Sequence, residues 1–139
     1  FRVEKSDMKK SILIIDNEPD FNFLVKHNLE ANWDYRVLTA TDGPSGIQAA
    51  FQCQPDLVLL DVLMPWMNGI EVLKKLKKDP KTRHIPVIML SAVADPETKA
   101  KALYLYVEEF IEKPADLDLL TSRIEEVLSR GRGQHYTYS

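Results

Sequence analysis

The segment LVLLDVLMPWMNG, residues 57–69, carries the strongest structural signal in the chain. Four consecutive apolar residues lead directly into Asp61, and a Met-Pro pair and an Asn-Gly pair follow at once. A short apolar run predicts a buried strand, and proline and glycine predict a sharp turn behind it. The segment therefore predicts a carboxylate that is held at the end of a buried strand and exposed by the turn.

The rest of the chain alternates short apolar runs with amphipathic helical patterns. The runs are too short for helices and rich in β-branched residues, which is typical of buried strands. Helical periodicity fills the gaps; Asp95-Pro96-Glu97, for example, supplies a cap, a proline and an early acid. Five such units predict an α/β fold, a doubly wound parallel sheet with helices on both faces. The predicted strands are Ile12–Ile15, Tyr35–Leu38, Leu57–Leu60, Val87–Leu90 and Phe110–Ile111.

Length and composition restrict the function classes. The 139 residues fit one domain, and a net charge of -3 argues against a nucleic-acid partner. No apolar run approaches the ~20 residues of a membrane span, so we expect no membrane partner. A single cysteine, Cys53, cannot form an internal disulfide and suits a reducing compartment, which predicts a cytoplasmic protein. The three histidines, His27, His84 and His135, match no metal-ligand spacing.

Polar residues follow four of the five predicted strands. Asp16-Asn17-Glu18 follows the first strand, Asp61 the third, Ser91 the fourth and Lys113-Pro114 the fifth. Each residue alone has an ordinary explanation as a helix cap, a loop hydroxyl or a solvated charge. In a parallel sheet, however, the carboxyl ends of the strands share one edge, where ligands bind. The pattern therefore predicts that two acids, a hydroxyl and a lysine converge.

This set of groups suits phosphoryl transfer. Crowded carboxylates need a cation to coexist, and oxygen ligands of this kind suit Mg²⁺. An ammonium and a hydroxyl could hold the remaining oxygens of a transferred phosphoryl group. Asp61 would then be the nucleophile and would form an aspartyl phosphate.

Four segments, in this order, resemble the receiver domain of the response-regulator (CheY-like) family, from about Lys9 to Arg130. They are ILIIDNEPD (12–20), DLVLLDVLMPWMNG (56–69), PVIMLSA (86–92) and FIEKP (110–114). The resemblance implies a flavodoxin-like fold with strand order 2-1-3-4-5. It also implies a receiver domain over residues 9–130, with residues 1–8 and 131–139 as flexible ends.

The resemblance further implies a two-component signalling switch in a phosphorelay, which is not a turnover enzyme although it catalyses its own phosphorylation and dephosphorylation. Asp61 would accept a phosphoryl group from a histidine kinase or a phosphotransfer protein. The implied Mg²⁺ ligands are Asp16, Asp61, the Leu63 carbonyl and Asn17. The implied catalytic and switching residues are Asp61, Ser91, Lys113 and Phe110, and the Lys113–Pro114 bond would be cis. Leu63 and Val93 would flank the acceptor and make the phosphorylated form long-lived.

Two positions depart from the family pattern. The family usually has a second acid where Asn17 stands, which predicts weakened Mg²⁺ binding. A glycine is common where Tyr106 stands, between the fourth helix and the fifth strand.

Residues 104–107, Tyr-Leu-Tyr-Val, are unusually apolar, and core packing accounts for only part of them. We expect a downstream effector or a second copy to bind the face formed by helix 4, strand 5 and helix 5.

Two other function classes fit parts of the sequence. A phosphohydrolase of the haloacid-dehalogenase type also forms an aspartyl phosphate, but it needs an acid two residues after the nucleophile, where Leu63 stands. A degenerate receiver that only scaffolds partners is supported by Asn17 alone. Phosphorylation by a small phosphodonor would separate a working receiver from such a scaffold.

Overall fold

The computed structural model describes residues 9–92, 95–113 and 116–130. Strands and helices alternate along these residues, and the order β2-β1-β3-β4-β5 of the all-parallel sheet confirms the predicted fold class. The strands are β1 (Lys10–Ile15), β2 (Tyr35–Ala40), β3 (Leu57–Asp61), β4 (Val87–Ser91) and β5 (Glu109–Glu112). The helices are α1 (Pro19–Asn32), α2 (Gly43–Cys53), α3 (Gly69–Lys78), α4 (Pro96–Tyr104) and α5 (Leu117–Ser129).

The central strands have no polar face. Successive side chains of a strand point to opposite sides, so neighbouring residues of β1 contribute to different core clusters. Ile12 and Ile14 belong to the cluster that includes residues of α1 and α5. Leu13 and Ile15 belong to the cluster that includes residues of α2, α3 and α4. A helical layer on each face therefore explains why the strands are continuous apolar runs.

Side-chain caps start several helices, and one of them is the predicted cap at Asp95. The Asp42 side chain accepts a hydrogen bond from the Ser45 amide at 2.8 Å, and the Asp95 side chain accepts one from the Thr98 amide at 2.9 Å. Such caps satisfy amide groups that the first turn of a helix leaves without partners. At the start of α3, Asn68 and Glu71 form a reciprocal capping box. These caps fix the loops that lead away from the carboxyl edge of the sheet.

The buried face of α1 differs from the one that apolar spacing alone predicts. The apolar spacing of α1 places Leu24 with Val25 and Leu29 on the core face, but Leu24 is 52% exposed. The polar Asn22 is buried instead, because Asn22, Val25 and Leu29 form the stripe that faces the sheet. Asn22 also donates a hydrogen bond from its amide to the Asp16 carbonyl at 2.9 Å. The start of α1 is therefore attached to the end of β1 through a buried amide.

None of the helices in the described ranges is long and apolar enough to span a bilayer.

Candidate functional site

Asp61 lies at the carboxyl end of β3, as predicted, but it is only 4% exposed. The prediction that the turn exposes this carboxylate is therefore wrong, although the residue lines a cavity at the edge of the sheet. The turn behind it is tight: the Met67 amide donates to the Pro65 carbonyl at 2.7 Å around Trp66, whose φ is 67°. This is a γ-turn of the rarer positive-φ kind, which is strained for a residue other than glycine. At the end of the turn, a Cβ on Gly69 would collide with the Asp61 carbonyl oxygen, so only glycine fits this close approach.

Lys113 connects three acidic side chains. Its Nζ lies 2.7 Å from Asp16 Oδ2, 2.9 Å from Glu18 Oε1 and 3.7 Å from Asp61 Oδ2. The ammonium also lies 4.4 Å from the ring centroid of Phe21, within the range of a cation–π contact. The predicted convergence of the ends of β1, β3 and β5 is therefore present in the structure.

The pKa of Asp61 shows that Lys113 does not fully offset the burial of this carboxylate and the charge of Asp16. Burial, followed by the negative charge of Asp16, raises the pKa of Asp61 to about 6, although Lys113 and the Leu63 amide act in the opposite direction. Burial alone would lower the pKa of Lys113, but its hydrogen bonds to Asp16 and Glu18 prevail, and the pKa is raised. The lysine is therefore a firmly held cation, whereas Asp61 is a carboxylate that would gain from additional positive charge.

Asp16 is held rigidly at the end of β1 and is 1% exposed. Its amide donates to the Ala40 carbonyl at 3.0 Å, and its Oδ1 accepts the Glu18 amide at 2.9 Å. Its other carboxylate oxygen contacts Lys113. Both oxygens are therefore oriented by the protein, as expected for a group with a fixed role at the site.

The other predicted residues lie around this centre. Ser91 ends β4 and is fully buried, and its carbonyl accepts the Lys113 amide at 2.8 Å. Leu90 pairs with Asp61 across the sheet, which places Ser91 next to the end of β3. Leu63 is half exposed, and its amide bonds the Asp61 carboxylate. Phe110 is half buried in the core cluster shared with α2, α3 and α4, three residues before Lys113.

A cavity of about 650 Å³ opens at the carboxyl edge of the sheet. Asp61, Lys113, Asn17 and Glu18 line it together with an apolar wall that includes Leu63. The contacts of Lys113 with Glu18 and Phe21 were not predicted. Glu18 follows Asp16-Asn17 directly, which is a usable signal, whereas no sequence signal marks Phe21 as a contact of a lysine.

Three predictions fall outside the described residues. They are the cis bond before Pro114, the position of Val93 beside the acceptor, and the flexible ends at residues 1–8 and 131–139.

The residues at the site fit a hard cation that uses few carboxylates. The described ranges contain no group of three or more His, Cys, Asp or Glu side chains placed to hold a metal. Asp16 and Asp61 nevertheless offer two buried carboxylates, and burial together with the charge of Asp16 raises the pKa of Asp61, so a cation beside it would be favoured. Mg²⁺ characteristically takes one or two protein carboxylates and completes its coordination with other oxygens.

The fold and site together define a doubly wound α/β protein whose sheet carries three acids and a shared lysine at its carboxyl edge. Residues 12–125 match the family model of the response regulator receiver domain, and the chain therefore belongs to that family.

Several known proteins resemble this chain in sequence or in structure. The chain is 37% identical over 119 residues to the DNA-binding dual master transcriptional regulator RpaA of Synechocystis sp., covering 86% of this chain and 49% of that protein. It is 38% identical over 120 residues to Response regulator PleD of Caulobacter vibrioides, covering 86% of this chain and 26% of that protein. A receiver domain protein (CheY-like) from Methanospirillum hungatei has a similar structure, with a TM-score of 0.82 and 28% identity. The match covers 87% of this chain and 94% of that protein. The chain thus spans half or less of the length of these two regulators.

Proposed function

We propose that this receiver domain is a phosphorylation-controlled switch that accepts a phosphoryl group on Asp61 from a histidine kinase or a phosphotransfer protein. The contact of one ammonium, Lys113, with Asp16, Glu18 and Asp61 is the observation that supports this function best. These groups lie at the carboxyl edge of a parallel sheet, where ligands bind in this architecture, and a strongly perturbed pKa such as that of Asp61 is typical of functional sites.

The chemistry follows from the positions of these groups. A pKa of about 6 leaves most of the Asp61 carboxylate ionised at neutral pH and able to act as a nucleophile. As its oxygen forms a bond to phosphorus, the bond from phosphorus to the donor's imidazole nitrogen breaks. Lys113 and the Ser91 hydroxyl would then contact the phosphoryl oxygens, where charge neutralisation and positioning do most of the catalysis.

Asp16, Asp61, the Leu63 carbonyl and the Asn17 amide oxygen would hold Mg²⁺ in this proposal. When bound, the cation would neutralise part of the negative charge of the transferred group. Asn17 offers a neutral oxygen in place of a carboxylate, so we propose that the affinity for the metal is weakened but retained.

The test of this function is phosphorylation by acetyl phosphate in the presence of Mg²⁺, followed by mass spectrometry of the intact chain. A working receiver takes up one phosphoryl group, and an Asp61→Asn variant takes up none. Failure of the native chain to accept phosphate would favour a binding scaffold that uses the same fold.

We further propose that phosphorylation changes the face formed by α4, β5 and α5. Phe110 lies in β5, Lys113 follows the strand directly, and Tyr106 precedes it. A shift of Lys113 toward a phosphoryl group would bias this strand between two arrangements. A partner could read the difference at Tyr104, which is 83% exposed, and at Tyr106, which is 57% exposed.

Hydrogen exchange provides a check that needs no knowledge of the partner. Acetyl phosphate should change amide exchange over residues 104–112 of the native chain but not of Asp61→Asn. The physical reason is that phosphate capture by Lys113 alters the hydrogen bonds that β5 makes with its surroundings. A change confined to residues 61–69 would contradict this output face.

A further inference from the structure

A second cavity, of about 740 Å³, lies between α3 and the turn from α4 to β5. Four lysines of α3 line one side of this groove, and residues 104–106 line the other. The lysines are Lys74, Lys75, Lys77 and Lys78. The groove is thus basic on one wall and aromatic on the other, in a chain whose net charge is -3.

Most of the positive charge on the helical wall is uncompensated. The ion pairs formed within the described part of the chain do not include Lys74, Lys75 or Lys78. Glu71 also lines the groove, but its carboxylate accepts the Asn68 amide at 3.1 Å in the capping box. These three lysines therefore present their charge to solvent.

Lys77 differs from the other three. Its Nζ donates to the carbonyls of Arg83 at 3.2 Å and Ile85 at 2.9 Å, and burial lowers its pKa to about 8. Lys77 thereby attaches α3 to the segment that leads into β4. The Lys77 side chain is therefore held in place by backbone carbonyls, while the three exposed lysines supply the charge of the groove.

The opposite wall contains a strained aromatic residue. Tyr106 has a φ of 63°, in the left-handed region that glycine adopts freely. A residue with a Cβ is strained in this conformation, because the Cβ comes too close to the following carbonyl oxygen. Strain of this kind tends to be retained where the residue has a function, and both tyrosines expose their rings beside the groove.

Helix stability explains only part of this arrangement. Lysines in the last turn of α3 offset the negative end of the helix dipole, which is sufficient reason for Lys77 and Lys78. The dipole does not account for Tyr104 and Tyr106, which lie on a different element and remain exposed. A binding role accounts for both walls together.

We propose that this groove binds an acidic peptide segment of a partner protein, with carboxylates on the lysines and apolar side chains against the tyrosines. The net charge of -3 disfavours a polyanion such as nucleic acid, which would be repelled by the rest of the surface. A short segment that contacts only the groove avoids this repulsion. The inference extends the proposed output face onto α3, and it does not require that Asp61 be phosphorylated.

Phage display tests the proposal. A random peptide library is selected for binding to the native chain. Enriched peptides should combine Asp or Glu with Leu, Phe or Trp, and their affinity should fall as salt is added. The double variant Lys74→Glu/Lys78→Glu should weaken them at least about tenfold, because it reverses two contacting charges. Tyr106→Gly should weaken them as well, while it relieves the backbone strain and keeps the fold stable.

Matched variants separate the groove from general effects. Lys10→Glu reverses an exposed charge on β1, and Gln54→Gly relieves a positive φ of 48° at the end of α2. Both should leave the affinity of the peptides within about twofold of the native value. Phosphate uptake from acetyl phosphate by the groove variants should equal that of the native chain, which keeps this test separate from the proposed function.

Three results would overturn the proposal. The selection could yield no binders, or binders without an excess of acids. The selected peptides could bind Lys74→Glu/Lys78→Glu as tightly as the native chain. Lastly, sedimentation or an oligonucleotide titration could show that the same lysines bind a second copy or a nucleic acid.

Discussion

An Asp61→Asn variant should be more stable than the native chain by about 2 kcal/mol at pH 8 in EDTA. The folded pKa of Asp61, about 6, lies above its ordinary value of 3.8, so ionised Asp61 destabilises the folded state. A shift of this size corresponds at most to roughly 3 kcal/mol, and the neutral amide removes this cost while it nearly preserves the shape. The gain should shrink as the pH falls through 6 and vanish below about 4, where the carboxyl is protonated in both states.

Urea denaturation at several pH values measures this difference. Asp34→Asn is the control, because the Asp34 side chain is 84% exposed and its replacement should change the free energy of unfolding by less than about 0.5 kcal/mol. An Asp61→Asn variant that is equal to or less stable than the native chain at pH 8 would refute the electrostatic account of the site.

Asn17→Asp should tighten Mg²⁺ binding by about tenfold to a hundredfold. Asn17 lines the site cavity together with Asp61, so a carboxylate there would add negative charge close to the cation. At ~4 Å and an effective dielectric constant near 20, one charge contributes roughly 4 kcal/mol before desolvation is subtracted. Repulsion by Asp16 and Asp61 reduces this gain, and the same repulsion should destabilise the metal-free variant.

Calorimetric titration of Mg²⁺ into both proteins measures the affinities. Asn32→Asp, which adds an acid at the exposed end of α1, controls for the change in net charge and should bind Mg²⁺ like the native chain. Equal affinities of the native chain and Asn17→Asp would show that residue 17 is not a ligand. Phosphorylation that is restored only by Asn17→Asp would favour the scaffold function for the native chain.

The fold could be predicted because its signals are local and repeated. Apolar runs bounded by caps, as at Asp95, indicate where strands and helices alternate, and alternation alone implies a parallel sheet. The exposure of Leu24 could not be predicted in this way, since helical spacing allows either Leu24 or Asn22 to face the sheet. The choice depends on the hydrogen bond from Asn22 to the Asp16 carbonyl, a contact that exists only once α1 has packed.

The site could be predicted as far as it depends on strand ends. Asp16, Asp61 and Lys113 each follow a strand, so topology brings them together. The contacts of Glu18 and Phe21 with Lys113 depend on how the first turn of α1 lies across the edge of the sheet, which periodicity does not specify. The basic groove is likewise tertiary, because its two walls come from segments that lie about 30 residues apart in the chain.

The location of the phosphoryl group is the most direct test of the account. The native chain and the Asp61→Asn variant are treated with acetyl phosphate and Mg²⁺ and digested rapidly. Mass spectrometry of the peptides then locates the phosphoryl group. The expected result is one phosphoryl group on the native peptide that contains Asp61 and none anywhere in Asp61→Asn, whose folding is established by its denaturation curve. Stoichiometric phosphate on Asp61→Asn, or on a native peptide without Asp61, would contradict it.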